Sequence, residues 1–355
     1  MKRSVILLGY LCLVVFAGIS GAQTPSDKVV IKLDPALDEL IAPDAKLEVV
    51  KENYYTNAEG PTWVQQGKTG YLLFSDVTLN LIQKFEPGCE KEFPCPIDSG
   101  KPTVYAEHAG YTQGELDAGK ISVPDHDGTV GLEVDPQGRV VAASYGEHGV
   151  VRFEKDGKHT ILADTYEGKR FSCPNKLVVK SDGAIYFTDA VTTCIKGGDK
   201  SPERELDYHG LFLVKDGKVA LLDKDPEGGA PHGITMSPDE KILYLGIGRK
   251  ILAYDIKPDS TLANERLFVD LTNEKGGVDG INVDSKGNLW GAGPGGIWIV
   301  SPQGKHLGTI SVPMVQGVRF ANMAFGDPDR KTLYITGNKN LWRIRLKVAG
   351  VKGRG

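Results

Sequence analysis

Cysteine is scarce in this chain, five in 355 residues, and no two of them stand as Cys-x-x-Cys. The spacing expected of a structural zinc site is therefore missing. A surplus of one charge is lacking too: 42 Lys and Arg against 46 Asp and Glu leave a formal net charge of −4, which argues against a partner bound through its phosphate backbone. Helical periodicity between apolar runs is almost absent, and a TIM barrel would need it between every pair of strands. Glycine (44) and proline (20) are plentiful, but they are scattered along the chain. That distribution excludes collagen and disorder and suits many short strands joined by tight turns.

The long apolar run is confined to the start. Met1-Lys2-Arg3 is basic, Val5 to Ile19 is apolar, and Ser20-Gly21-Ala22 are small residues of the kind a signal peptidase reads. Residues 1–22 are expected to be a signal peptide cleaved before Gln23, giving a secreted or periplasmic protein with no stable membrane insertion. Ser4 to Ala22 approaches the ~20 residues of a membrane span, but the small residues favour cleavage, which removes Cys12. Four cysteines then remain in an oxidising compartment. Cys89 and Cys95 lie six apart in a Pro- and Gly-bearing loop and are expected to pair, whereas Cys173 and Cys194 either pair or stay as buried thiols.

One pattern recurs along the rest of the chain: alternating apolar residues, a polar turn, then a β-rich run. The turns are DPQGRVVAA from Asp135, SDGAIYFTD from Ser181, SPDEKILYLG from Ser237, DSKGNLWGA from Asp284 and DPDRKTLYITG from Asp327, with a looser QQGKTGYLLFSD from Gln65. Each is a hairpin signal. Upstream of each turn lies a second register, occupied by Glu59, Val130, Asn175, His232, Asp279 and Asn322, which are 71, 45, 57, 47 and 43 residues apart. A unit of forty-odd residues with insertions in the first and third intervals is the repeat of a propeller blade. The expected fold is all-β, a six-bladed β-propeller over 46–347, with a polar lead-in at 23–45 and a basic tail at 348–355 that frays. Leu47-Glu48-Val49-Val50 alternates and can complete the blade formed by the C-terminal strands from Leu333 to Leu346, leaving no open edge. Trp63, Trp290, Trp298 and Trp342 fall in strands and are assigned to packing.

In a propeller the innermost strands line one channel, so residues at one register converge on one axis. Here that places two carboxylates, an amide and an imidazole together: Glu59, Asn175, His232 and Asp279. Such a set can hold one divalent cation. Singly, Asp or Asn beside Gly more often caps a turn; four at one register, facing a water-poor axis, would be costly without a cation.

At these residues the sequence resembles the gluconolactonase, regucalcin (senescence marker protein) and luciferin-regenerating-enzyme family. The motifs are AEGPTW at Ala58, LLFSDV at Leu72, YEGKRFSCPNKLVVKSDGAIYFTD at Tyr166, PHGITMSPDEKILYLG at Pro231, VDGINVDSKGNLW at Val278 and GPGGIWIVSPQGKHLGTI at Gly293. The resemblance implies a six-bladed propeller that hydrolyses a lactone or ester, a small-molecule substrate, to a hydroxy acid. It also implies one divalent metal, calcium, on Glu59, Asn175, His232 and Asp279, with the metal polarising the carbonyl and Asp279 activating water. Three positions depart from the family pattern. His232 replaces the Asn of PNG, which suits zinc or manganese better than calcium. Lys176 replaces the Asp of PND, giving either an ammonium beside the metal or a long stem turned away; facing the channel, it repels the cation or binds an anionic substrate. Val130 stands where many relatives carry a polar residue. The alternative these departures raise is a non-catalytic propeller that binds a ligand or a protein. Tyr145, Glu147 and His148 lie where relatives contact substrate, with a solvated loop as the other reading. His126, between Asp125 and Asp127, is read as a turn residue, and the long insertion holding His108 as a candidate lid.

Overall fold

A computed structural model describes residues 29–352, apart from 122, 124–125, 191–193, 273–276, 294 and 312–318. The expected leader and its cleavage point, and Asp125, lie outside the described residues. Six antiparallel sheets stand in a ring. Blade one runs from Ala58–Gln66 through Thr69–Asp76 and Leu81–Glu86 to Lys101–Glu107, blade two from Thr129–Val134 to His159–Ala163, blade three from Pro174–Val179 to Lys218–Lys224, and blade four from Pro231–Met236 to Leu262–Asp270. Blade five runs from Ile281–Val283 to His306–Ser311, and blade six from Asn322–Gly326 to Asn340–Arg345. Leu47–Lys51 pairs antiparallel with Asn340–Arg345, Leu47 opposite Ile344, so the ring closes as the sequence implied.

Each expected turn joins the first two strands of its blade, and its polar residue is what fixes it. Asp135 accepts the backbone N–H of Gln137 and Arg139; Asp284 accepts those of Lys286 and Asn288 and the indole N–H of Trp290. Ser237 accepts the N–H of Lys241 and Ile242 through its hydroxyl. Side chains that satisfy a turn's free N–H groups hold the hairpin without a long loop.

The core lies between blades, in apolar layers such as Phe171, Phe187 and Phe212 between blades two and three, whose ring centroids are 5.0 to 5.4 Å apart. Trp63, Trp290 and Trp342 are buried in equivalent layers; Trp298 is half-buried and stacks on His306. Two segments pack more closely than expected. The lead-in is no polar arm: Val30–Lys32 adds a fifth strand to blade five, and Leu37, Leu40 and Ile41 are buried against blades five and six. The tail does not fray at 348, because Val348 is buried and Gly350 N donates to the carbonyl of Arg330. Two disulfides are formed, Cys89–Cys95 and Cys173–Cys194, which decides the alternative left open for the second pair. The Cys89–Cys95 loop sits against blade six, where Arg343 Nη2 donates to the carbonyl of Cys95.

Candidate functional site

The six register residues fall at or just before the start of the inner strands, and therefore at one end of the channel. The strand pairing breaks beside them in four blades, between Glu59 and Thr62, Thr129 and Leu132, Pro174 and Leu177, and Pro231 and Ile234. Such irregularities re-aim side chains out of the sheet's alternation. Neighbouring inner strands come very close there. A Cβ on Gly60, whose φ is +52°, would lie 1.9 Å from the carbonyl oxygen of Val130, and one on Gly233 would lie 2.1 Å from that of Asp279. The residue after the register is glycine in blades one, two, four and five; in blade three it is Lys176. These glycines and Lys176 line a narrow axial space of about 30 Å³.

Lys176 is the centre of the site. Its backbone N–H donates to Thr188 Oγ1 at 3.1 Å, and its ammonium, 5% exposed, lies 2.7 Å from Glu59 Oε2 and 3.6 Å from Asp279 Oδ1. Arg319, from the segment leading into blade six, completes the group. Its guanidinium lies 3.6 Å from Glu59 Oε1 and 3.6 Å from Asp279 Oδ2. All four carboxylate oxygens therefore face a cationic nitrogen, and two negative charges meet two positive ones. Burial opposes the charge on Lys176, but the carboxylates of Glu59 and then Asp279 outweigh it and hold the amine above its ordinary value. Burial drives the Glu59 carboxyl up, with Lys176 opposing and Asp279 adding to the rise. Asn175 donates through Nδ2 to the Tyr145 hydroxyl, and its Oδ1 is buried without a hydrogen-bond partner.

Above this cluster a cavity of about 630 Å³ opens at the channel mouth, with His232, Ile247, Arg249, Asp279 and Arg319 in its wall. Asp279 is 20% and Arg319 62% exposed, against 7% for Glu59, so the outer carboxylate and the guanidinium face the cavity while Glu59 lies beneath. A larger cavity, about 790 Å³, is lined among the described residues by the segment 29–47 on the outer edge of the ring, where Lys32 pairs with Asp38.

The expected site residues separate into two groups. Glu59, Lys176 and Asp279 are brought into ionic contact, Asn175 and Tyr145 bond to each other beside them, and His232 reaches the cavity wall. Glu147 and His148 are tied elsewhere: Glu147 Oε1 meets His159 Nε2 at 3.0 Å, and the buried His148 ring bonds to the carbonyl of Ser172 at 2.7 Å. The sequence did not point to Arg319, and it assigned His126 to a turn. His126 is half-buried with its ring centroid 5.9 Å from that of Tyr145, and burial, followed by the nearby Arg319, lowers its pKa.

The donor set does not fit the expected divalent ion. Among the described residues no three His, Cys, Asp or Glu side chains gather as a metal-holding group. The carboxylates that would ligate the ion already carry an ammonium and a guanidinium, leaving the amide oxygen of Asn175 as a lone hard donor. A dication about 4 Å from the Lys176 ammonium would meet a repulsion of roughly 8 kcal/mol at an effective dielectric of about 20.

Residues 57–339 match the model of the SMP-30/gluconolactonase/LRE-like region. A gluconolactonase of Zymomonas mobilis is 30% identical over 333 residues, covering 90% of this chain and 87% of that protein. The solved structure of a gluconolactonase from Xanthomonas campestris superposes with a TM-score of 0.70 at 26% identity, covering 89% of this chain and 94% of the other. A regucalcin of Agrobacterium tumefaciens, solved as a calcium-binding protein, shares the fold at a TM-score of 0.61 and 18% identity, over 86% and 95% of the two chains.

Proposed function

Because the chain belongs to the SMP-30/gluconolactonase/LRE-like family, we propose that it hydrolyses lactones, adding water across a cyclic ester to give a hydroxy acid. One observation carries this reading beyond the family. Asp279 and Arg319 stand together on the wall of the channel-mouth cavity, an acid–base group and a fixed cation 3.6 Å apart. In that cavity the lactone carbonyl oxygen points at the Arg319 guanidinium, and a water lies against Asp279. Water oxygen attacks the carbonyl carbon and its proton passes to the Asp279 carboxylate. The oxyanion is met by Arg319. When the tetrahedral adduct collapses, the ring C–O bond breaks and Asp279 returns the proton to the departing alkoxide. Lys176, beneath, orients the carboxylate.

Of the residues expected to touch substrate, we assign Tyr145 a supporting role through Asn175 and no contact to Glu147 or His148. We infer export of the chain, a reading supported by its two disulfides. Among the described residues no helix is long and apolar enough to cross a membrane. The pairing of all four carboxylate oxygens favours the other reading, a propeller that binds ligand without turnover. Acid release from a panel of aldonolactones and aliphatic lactones decides between them. Turnover lost in Asp279→Asn with the fold retained is expected; absence of turnover across the panel by the wild-type protein, with a lactone still bound, would establish the binding propeller.

A further inference from the structure

We propose that the ammonium of Lys176 is the resident cation of the channel, holding Glu59 and Asp279 in place of a divalent metal, so that the chain's hydrolytic site is built to work without one. The inference rests on the lactonase reading for its catalytic half only; the ionic half stands on the site's geometry. Four observations converge on it. The ammonium is in direct contact with Glu59 and bridges toward Asp279, the two anionic groups of the register. The other oxygen of each carboxylate is taken by Arg319, so each carboxylate is matched on both sides. The charges sum to zero without any ion, and a divalent cation would leave the cluster with a net charge of +2 around the buried Lys176 and Glu59. The stem of Lys176 has a dedicated path, since the neighbouring blades carry glycine at the equivalent place and pack too closely there for any side chain of their own. His232 does not join the cluster; it lines the cavity above.

A lysine in this place differs from a metal in three ways that bear on function. It cannot be removed by a chelator or lost by dilution. It carries a single charge and offers no open coordination position, so the carbonyl of a substrate has to be polarised by another group, and Arg319 is the cation that faces the cavity. The ammonium also binds Glu59 more closely than Asp279, leaving the latter the freer base.

The test uses the full-length protein and its Lys176→Asp variant, each treated with EDTA, desalted, and titrated with calcium, zinc and manganese by isothermal calorimetry alongside thermal melts. The wild type is expected to purify without stoichiometric metal, to bind none of the three at the channel, and to melt at a midpoint independent of millimolar calcium. Lys176→Asp removes the internal cation and adds an acid, and is expected to bind a single equivalent of calcium with a melting midpoint that climbs with calcium concentration. A wild type that carries one equivalent of metal and loses turnover and stability to chelator overturns the proposal, as does a folded Lys176→Asp variant that binds no metal. If the variant does not fold, the wild-type titration alone decides. A wild type inactive on every lactone removes the lactonase reading, and the metal titration still tests the ionic one.

Discussion

The propeller buries carboxylates in two settings, and they are answered differently. At the hinge between a blade's second strand and the entry to its first, Asp76 accepts the N–H groups of Thr56 and Asn57, and Asp189 those of Ser172 and Cys173. Asp284 does the same inside its turn. These groups are saturated by neutral donors that the backbone had to satisfy in any case. Glu59 and Asp279, by contrast, are answered by charged side chains from blades far off in sequence, and one of them opens onto a cavity. A carboxylate closed off by its own loop fastens the chain. One held by charged side chains beside an open space keeps oxygen lone pairs that a reacting water can use.

The contrast can be broken at several points. Asp279→Asn should lower kcat by about 10²–10⁴-fold with little change in melting temperature, as read by steady-state lactone hydrolysis and calorimetry. Arg319→Gln should cost on the order of 10²–10³-fold in kcat, and because the side chain is largely exposed its stability effect should be small. Lys176→Met leaves the buried Glu59 with only the more distant, largely exposed Arg319 as a counter-charge and should destabilise by about 3–5 kcal/mol in denaturant unfolding; adding Glu59→Gln should recover most of the loss, which a merely steric defect would not allow. Asp189 sharpens the other side. Burial, opposed by its two N–H bonds and more weakly by Arg204, raises its pKa to about 6 from 3.8. Between those values the folded protein holds a proton that the unfolded chain has lost. Its contribution to stability is therefore full below pH 4 and declines by about 3 kcal/mol as pH rises through 6. Comparing wild type with Asp189→Asn between pH 4 and 7 should show that extra decline in the wild type only. Asp284→Ala, which frees turn N–H groups and the Trp290 indole, should cost about 1–3 kcal/mol in stability and leave lactone turnover unchanged.

The repeat was legible because hairpin turns leave local marks: Asp, Ser and Gly at fixed offsets from a β-branched run name the six units, and one register placed Glu59 and Asp279 at the same channel end. The closure by Leu47–Lys51 was readable from simple alternation. Other features left no local mark. Arg319 follows VPMVQGV with no motif around it, and its partners Glu59 and Asp279 lie 260 and 40 residues away in sequence. Lys176 could be noted as a departure, but its partners lie 117 and 103 residues away in sequence, and only the ring's geometry supplies them. Glu147 and His148 sat beside Tyr145 in sequence and yet turn to partners of their own, since adjacent residues at a strand's end point in different directions. The apolar residues of the lead-in leave little mark, because only Leu37 lies in the five-residue 3₁₀ helix Pro35–Glu39, with Leu40 at its end and Ile41 beyond, too short a run for periodicity to register.

The seam that closes the ring has a mechanical consequence. Leu47 faces Ile344 and Lys51 faces Leu341, so the chain's entry into the first strand and its exit from the last lie at the same end of the seam. A load drawn between them would peel the hydrogen bonds apart one after another rather than shear them together. Under tension, blade six should be the first to open.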